Sequence, residues 1–172
     1  GPLADVAGDI RTRVFTDLGV TASVGIASSK STAKVASDLC KPNSLLEVPV
    51  GRDASFLAPL SIEKLPGVGE KTARILKDWR ITTIGELARL PSSTLRRLVG
   101  AWGDTLSLHA RGEDRSPVSA AGPAKSISRE TTFYRDTLDM AFLAGTLRYL
   151  CERVGAHLRK EEKIARRVLL KL

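Results

Sequence analysis

The sequence predicts an α+β chain of several small domains: a partial α/β sheet, an all-α bundle, and part of a second α/β domain. Three observations carry this. Residues 1–50 alternate helical and strand-like periods, residues 51–112 hold short helical segments separated by glycine-bearing turns, and residues 126–172 place one long helical stripe between two strand-like segments. Between the last two, residues 113–125 are rich in Pro, Gly, Ser and Ala without an apolar period, the composition of a linker.

In the first region Val6, Ile10, Val14 and Leu18 recur every four residues, which predicts a helix from Ala4 to Leu18. The leading Gly1-Pro2 is expected to be a cleavage scar outside the fold. Val20, Ala22, Val24 and Ile26 alternate with smaller residues and predict a strand with one buried face. Ala33, Val35, Ala36 and Leu39 give the next helix a small-residue packing face, and a Pro-Asn turn leads into a short strand from Leu45 to Val48. In the second region Thr83 with Glu86 reads as a capping box, Ser92 or Ser93 as a cap, and Gly100 and Gly112 as stops. Trp79 and Trp102 follow helical spacing and are expected to pack this bundle. In the third, "SISRETTF" and "ARRVLLKL" read as strands, and Leu143, Leu147, Leu150, Val154 and Leu158 form the stripe of a helix from Asp139 to Lys160.

The 172 residues are 42% hydrophobic and 27% charged, the balance of a folded chain. The apolar runs are too short to span a bilayer and no secretory h-region opens the chain, so no membrane partner and a cytoplasmic location are expected. Cys40 and Cys151 lie far apart and in no C-x-x-C arrangement, which argues for buried thiols in a reducing compartment rather than a disulfide scaffold or zinc site. The net charge of +8 favours a polyanionic partner, because each cation placed at a phosphate releases counterions. Eight aromatic rings (four Phe, two Tyr, two Trp) are too few for a base-stacking platform, so phosphate contact is the better expectation.

The sharpest local signal is "LPGVGEKTARIL", Leu65 to Leu76, which looks like a helix-hairpin-helix motif. Gly67 and Gly69 lack side chains, so a phosphate can approach the main chain. The amides of Gly67, Gly69 and Lys71 stand at or before a helix N-terminus, where unpaired N–H groups and the positive dipole end attract an anion. Lys71, Arg74 and Lys77 add charge. Nothing in this set reads a base, so binding is expected to be independent of sequence. The competing expectation is a tight interhelical turn whose glycines serve packing alone. "GIASSKSTAK" is not a P-loop, since Ser29 stands where G-x-x-x-x-G-K-[ST] needs glycine. His109 and His157 have no partners at ligand spacing and are expected at helix surfaces. The adjacent acidic pairs Glu113-Asp114 and Glu161-Glu162 are expected to be solvated charge.

"SVGIASSKSTAKVASDLCKPNS" resembles the palm of Y-family DNA polymerases, the translesion enzymes of the DNA polymerase IV type. Val24, Gly25, Ile26, Lys30, Ala33, Lys34, Ala36, Ser37, Lys41, Pro42 and Asn43 match the family pattern, and Ser44 stands where glycine is usual. "LPGVGEKTARILKDWRITTIGELA" resembles the family's thumb, and "KSISRETTF" the first strand of its little finger. The resemblance implies residues 1–50 as partial palm, 51–112 as thumb, 113–125 as linker and 126–172 as the first half of the little finger. It implies Lys41 at the triphosphate of an incoming deoxynucleotide, and Gly67, Gly69, Lys71 and Arg74 at a DNA backbone phosphate. It implies Lys125, Ser126, Ser128 and Arg129 along the template duplex, and a monovalent cation at the backbone carbonyls of Glu63, Leu65 and Val68. The family's chemistry is two-metal phosphoryl transfer with Mg²⁺ held by carboxylates. An early aspartate and an Asp-Glu pair in S-[IL]-D-E-A-[YF] supply those carboxylates, and neither matches this sequence. The resemblance therefore implies a template-directed, damage-bypassing DNA polymerase, nucleoid-associated and with a sliding clamp as a further partner, of which this stretch binds primer–template DNA but is inactive alone. The rival is a non-enzymatic helix-hairpin-helix module of a repair complex, and a third reading is a protein-interaction scaffold.

Overall fold

The computed structural model describes residues 2–120 and 122–171. The chain divides into two compact units, Gly1–Val118 and Ser119–Leu172.

In the first unit α1 (Pro2–Leu18), β1 (Val24–Ile26), α2 (Lys30–Leu39) and β2 (Leu45–Glu47) come in the expected order. Helix α1 begins two residues before Ala4, with Pro2 at the start, where its missing N–H costs nothing. Strands β1 and β2 pair in parallel, Val24 opposite Leu45 and Ile26 opposite Glu47. The expected strand shrinks to its last three residues, because only these find a partner. Val20 is exposed and unpaired among the described residues. A side chain at Gly25 would run into the Ala33 carbonyl and the Ser37 amide, so this glycine lets α2 lie directly on β1. Helix α2 is capped by Ser29, whose Oγ accepts from the Thr32 N–H. The α1 stripe finds little cover: Val6, Ile10 and Leu18 are exposed and Ala7 is the buried residue.

The helical bundle follows. Helix α3 (Asp53–Leu57) and a 3₁₀ turn (Ile62–Lys64) lead into α4 (Glu70–Asp78), α5 (Ile84–Ala88), α6 (Ser92–Val99) and α7 (Trp102–Ala110). Its core gathers Leu57, Ile62, Leu65, Leu76, Ile84, Leu87, Leu95 and Leu106, all at most 1% exposed. The capping box forms as read: the Thr83 side chain accepts from the Glu86 N–H while the Glu86 carboxylate accepts from the Thr83 N–H. Pro91, rather than Ser92 or Ser93, is the cap residue of α6, and no side chain bonds there. Gly103 brings α7 against the main chain of Leu95 and Arg96 in α6, where a Cβ would stand 2.5 Å from backbone atoms. Trp79 is 64% exposed and does not pack the bundle; Trp102 is half-exposed.

Two expectations about polar groups change. Asp114 is not solvated: its side chain is 9% exposed and Oδ2 accepts from the Ser31 N–H at 3.2 Å. Cys151 is exposed and Cys40 half-buried, so neither is a buried thiol.

In the second unit α8 (Met140–Lys160) is capped by Asp139, which accepts from the Ala141 and Phe142 amides. The two expected strands are absent among the described residues. "SISRETTF" and residues 165–171 pair with nothing, and Val168 and Leu169 stand exposed. A strand exists only through its ladder, and β-type composition cannot supply a partner. Phe133 instead packs on Phe142 at 5.1 Å between ring centroids.

Candidate nucleic-acid interface

The turn from Leu65 to Gly69 is built from its two buried apolar residues. Leu65 and Val68 plug the bundle core, and the Val68 N–H closes on the Leu65 carbonyl at 3.0 Å. Pinning both ends forces the residue between Pro66 and Val68 to φ +95°, which favours glycine. Gly67 and Gly69 then part company. A Cβ on Gly67 would stand 2.5 Å from Trp102 Nε1, so this glycine seats the indole. A Cβ on Gly69 would meet nothing within 4 Å. Gly69 is the N-cap of α4 in ordinary extended geometry, φ −83° and ψ 178°, with no side-chain cap. Of the two readings of this turn, packing describes Gly67 and open approach describes Gly69.

Among the described residues the amides of Gly69, Glu70, Lys71 and Thr72 have no hydrogen-bond acceptor, while the Ala73 N–H closes on the Gly69 carbonyl. These are the free donors that a helix start presents to an anion. The surrounding charges are not equivalent. Lys77 pairs with Glu63 at 2.5 Å, which holds the Glu63 carboxyl below its usual range, and Arg74 reaches Glu70 at 3.6 Å. Lys71 is exposed and makes no ion pair among the described residues.

Lys41 is exposed and paired with Asp38 at 2.7 Å; Lys34 holds the other oxygen of the same carboxylate at 2.5 Å. These lysines, Lys34 first, pull Asp38 down to about 2. Among the described residues no group of three or more His, Cys, Asp or Glu could hold a metal ion.

In the second unit Lys125, Ser126, Ser128 and Arg129 are all exposed on a segment without regular structure rather than on a strand edge. Arg129 donates to the Ser128 carbonyl at 2.8 Å and to His157 Nδ1 at 3.2 Å. It forms a shallow basic recess with Arg153, His157 and Lys160 of α8. Sequence reasoning missed these α8 residues, although their spacing of four and three places them on one helix face. It also missed Trp102 at Gly67, for which spacing offers no signal.

Comparison with known proteins then becomes informative. The impB/mucB/samB family matches residues 2–38, and the C-terminal domain of that family matches residues 124–172. A DNA polymerase IV of Dehalococcoides mccartyi strain CBDB1 is 49% identical over all 172 residues, which are 44% of its own length. The chain belongs to the Y-family DNA polymerases. Solved structures of this family agree on the fold. A Y-family DNA polymerase chimera superimposes with a TM-score of 0.70 at 25% identity, covering 88% of this chain and 44% of that one. The Dbh DNA polymerase in an insertion ternary complex gives 0.60 at 28% identity, over 66% and 33%. The chain thus spans less than half the length of these Y-family relatives. No described helix is long and apolar enough to cross a membrane.

Proposed function

We propose that this chain is the part of a translesion DNA polymerase that holds primer–template DNA by its backbone phosphates. The observation that carries the reading is the row of unpartnered amides at Gly69 to Thr72, beside unpaired Lys71 and the open space over Gly69. Amides and a lysine read phosphate charge but no base edge, so the grip serves any sequence, as a polymerase needs. The matching relatives are named DNA polymerase IV, and the similarity runs through the Lys41 stretch as well as the turn. That supports the polymerase over an accessory helix-hairpin-helix module, which has no use for Lys41.

In this reading residues 1–50 are palm, 51–112 thumb, 113–125 linker and 126–172 little finger. Lys41 exchanges Asp38 for the triphosphate of the incoming deoxynucleotide. Lys125, Ser126, Ser128 and Arg129 lie along the template duplex. The Glu63, Leu65 and Val68 carbonyls form the cation side of the turn; Leu65 already accepts one hydrogen bond and keeps a second lone pair for an ion. The Mg²⁺ ions for nucleotidyl transfer sit on carboxylates other than those described, so this chain grips DNA without extending it. A sliding-clamp contact and a cytoplasmic, nucleoid-associated setting belong to the same proposal.

Two measurements test it. Fluorescence anisotropy with labelled primer–template should show binding that weakens steeply with NaCl. Primer extension with Mg²⁺ and all four deoxynucleotides should show no product. Salt-insensitive or absent binding would overturn the grip, and incorporation by the pure chain would overturn the inactivity.

A further inference from the structure

Trp102 is the first residue of α7 and is separated in sequence from the phosphate-grip turn by three helices, α4, α5 and α6. Its indole edge nevertheless lies on that turn: a Cβ at Gly67 would stand 2.5 Å from Nε1, 2.7 Å from Cζ2 and 2.8 Å from Cε2. The ring is 46% exposed, unlike a residue whose only task is to fill a core. Indole has one polar atom, a donor, and it normally finds a partner. Among the described residues Nε1 has no hydrogen-bond acceptor, and Trp102 is an exposed residue, which leaves the donor for an outside acceptor. The ring is also held in place. It meets the His109 ring edge-on at 6.2 Å, and Gly103 beside it is pressed against the α6 main chain.

We propose that the Trp102 indole N–H is a further donor to the phosphate gripped at the Leu65–Gly69 turn. This rests on reading the turn as a phosphate grip. The proposal accounts for the split between the two glycines. Gly67 gives up its side chain so that the indole edge can stand at the mouth of the turn, and Gly69 gives up its own so that the phosphate can enter. Trp79 has no such place; it is 64% exposed at the far end of α4.

A neutral donor and a cation leave different traces in salt. Removing a cation that contacts phosphate lowers the slope of log K against log[salt] by about 1, whereas removing an uncharged donor weakens binding equally at every salt. The test uses the full 172-residue chain and a fluorescein-labelled mixed-sequence duplex, titrated across NaCl concentrations. The variants are Trp102→Phe, replacement of Trp102 by 3-benzothienylalanine, which keeps the ring outline but has sulfur for N–H, and Lys71→Gln. Both Trp102 variants should lose roughly 3–10-fold in affinity, the worth of one hydrogen bond, with the slope unchanged. Lys71→Gln should lower the slope. Unchanged affinity with benzothienylalanine overturns the indole donor, whether or not Trp102→Phe binds less, since any remaining loss would come from packing. A parent chain that does not bind, or binds without salt dependence, overturns the phosphate reading itself, which separates the two failures.

Discussion

Asp114 Oδ2 accepts a hydrogen bond at 3.2 Å from the main-chain N–H of Ser31, 83 residues earlier in sequence. Its Oδ1 accepts from the N–H and hydroxyl of Ser116, and lies 3.9 Å from His109 Nε2. One carboxylate thus supplies negative charge to the first turn of α2 and fixes the start of the segment leaving α7. Lys30 adds a second tie, donating to the Pro117 carbonyl at 3.0 Å.

Asp114→Ala should therefore destabilise the first unit by about 1–2 kcal/mol, the range for losing a charged cap and leaving the part-buried Ser31 N–H unpaired. It should also speed tryptic cleavage after exposed Arg115. Asp114→Asn should fall between, since it keeps an acceptor but loses the charge. Thermal melts and timed digestion check both. The Ser116 hydroxyl and N–H hold the Asp114 carboxyl below its usual range, so its contribution is present at neutral pH and lost as pH falls through that lowered value.

Glu86 gives the second pH-dependent test. Three donors fix its Oε2: the amides of Thr82 and Thr83, and the Thr82 hydroxyl. The Thr82 amide first, then the Thr83 amide, pull Glu86 from 4.5 to about 2. A carboxylate lowered on folding stabilises the fold above its unfolded value of 4.5; that contribution fades as pH falls toward 2. Glu86→Gln should flatten the stability curve between those limits. Thr83→Ala, which removes the other half of the box, should cost about 1 kcal/mol at pH 7. Denaturant midpoints measured across pH separate the two.

What the sequence discloses depends on how far each contact reaches along the chain. The α5 capping box and the α8 boundaries were legible because Thr83 with Glu86, and Asp139 with its helix, settle their hydrogen bonds within a turn. The parallel pairing of β1 with β2 was not, nor was the failure of "SISRETTF" to pair, because a ladder depends on a distant partner. Asp114 shows the same limit. Next to Glu113 in a Pro- and Ser-rich stretch it reads as solvated charge, and only folding brings the Ser31 amide to it. At the turn, two glycines are identical letters with different tasks, and the residue that distinguishes them, Trp102, is reached only through α4 to α7.

The Asp38 pairs predict little for stability and more for acid response. Lys34, Lys41 and Asp38 are all substantially exposed, with side-chain exposures of 58%, 62% and 37%. Exposed pairs are screened, so Asp38→Asn should change stability by less than about 0.5 kcal/mol at pH 7 in 150 mM NaCl. The lowered value of about 2 means that the small contribution of the pairs disappears from about pH 4 downward, and the variant should lack that step. A larger loss at neutral pH in urea melts would mean that the carboxylate organises the Lys41 turn beyond its ion pairs.

The two glycines of the turn give the most direct separation of fold from function. Gly67 sits at φ +95° under the Trp102 indole, so Gly67→Ala meets both backbone strain and a 2.5 Å overlap. The ring must swing or the turn must open, and the expected cost is about 2–4 kcal/mol. Gly69 sits at φ −83°, ψ 178°, with open space where a side chain would go. Gly69→Ala should therefore fold with a loss of at most about 1 kcal/mol, from a poorer helix cap. Its new methyl group nevertheless stands where a phosphate would approach the main chain. The expected outcome is a near-parental melting temperature with clearly weaker DNA binding for Gly69→Ala, and a lowered melting temperature for Gly67→Ala. Circular dichroism melts and anisotropy titrations on the same samples decide it. Parental DNA affinity in Gly69→Ala would mean that the phosphate does not enter over this glycine.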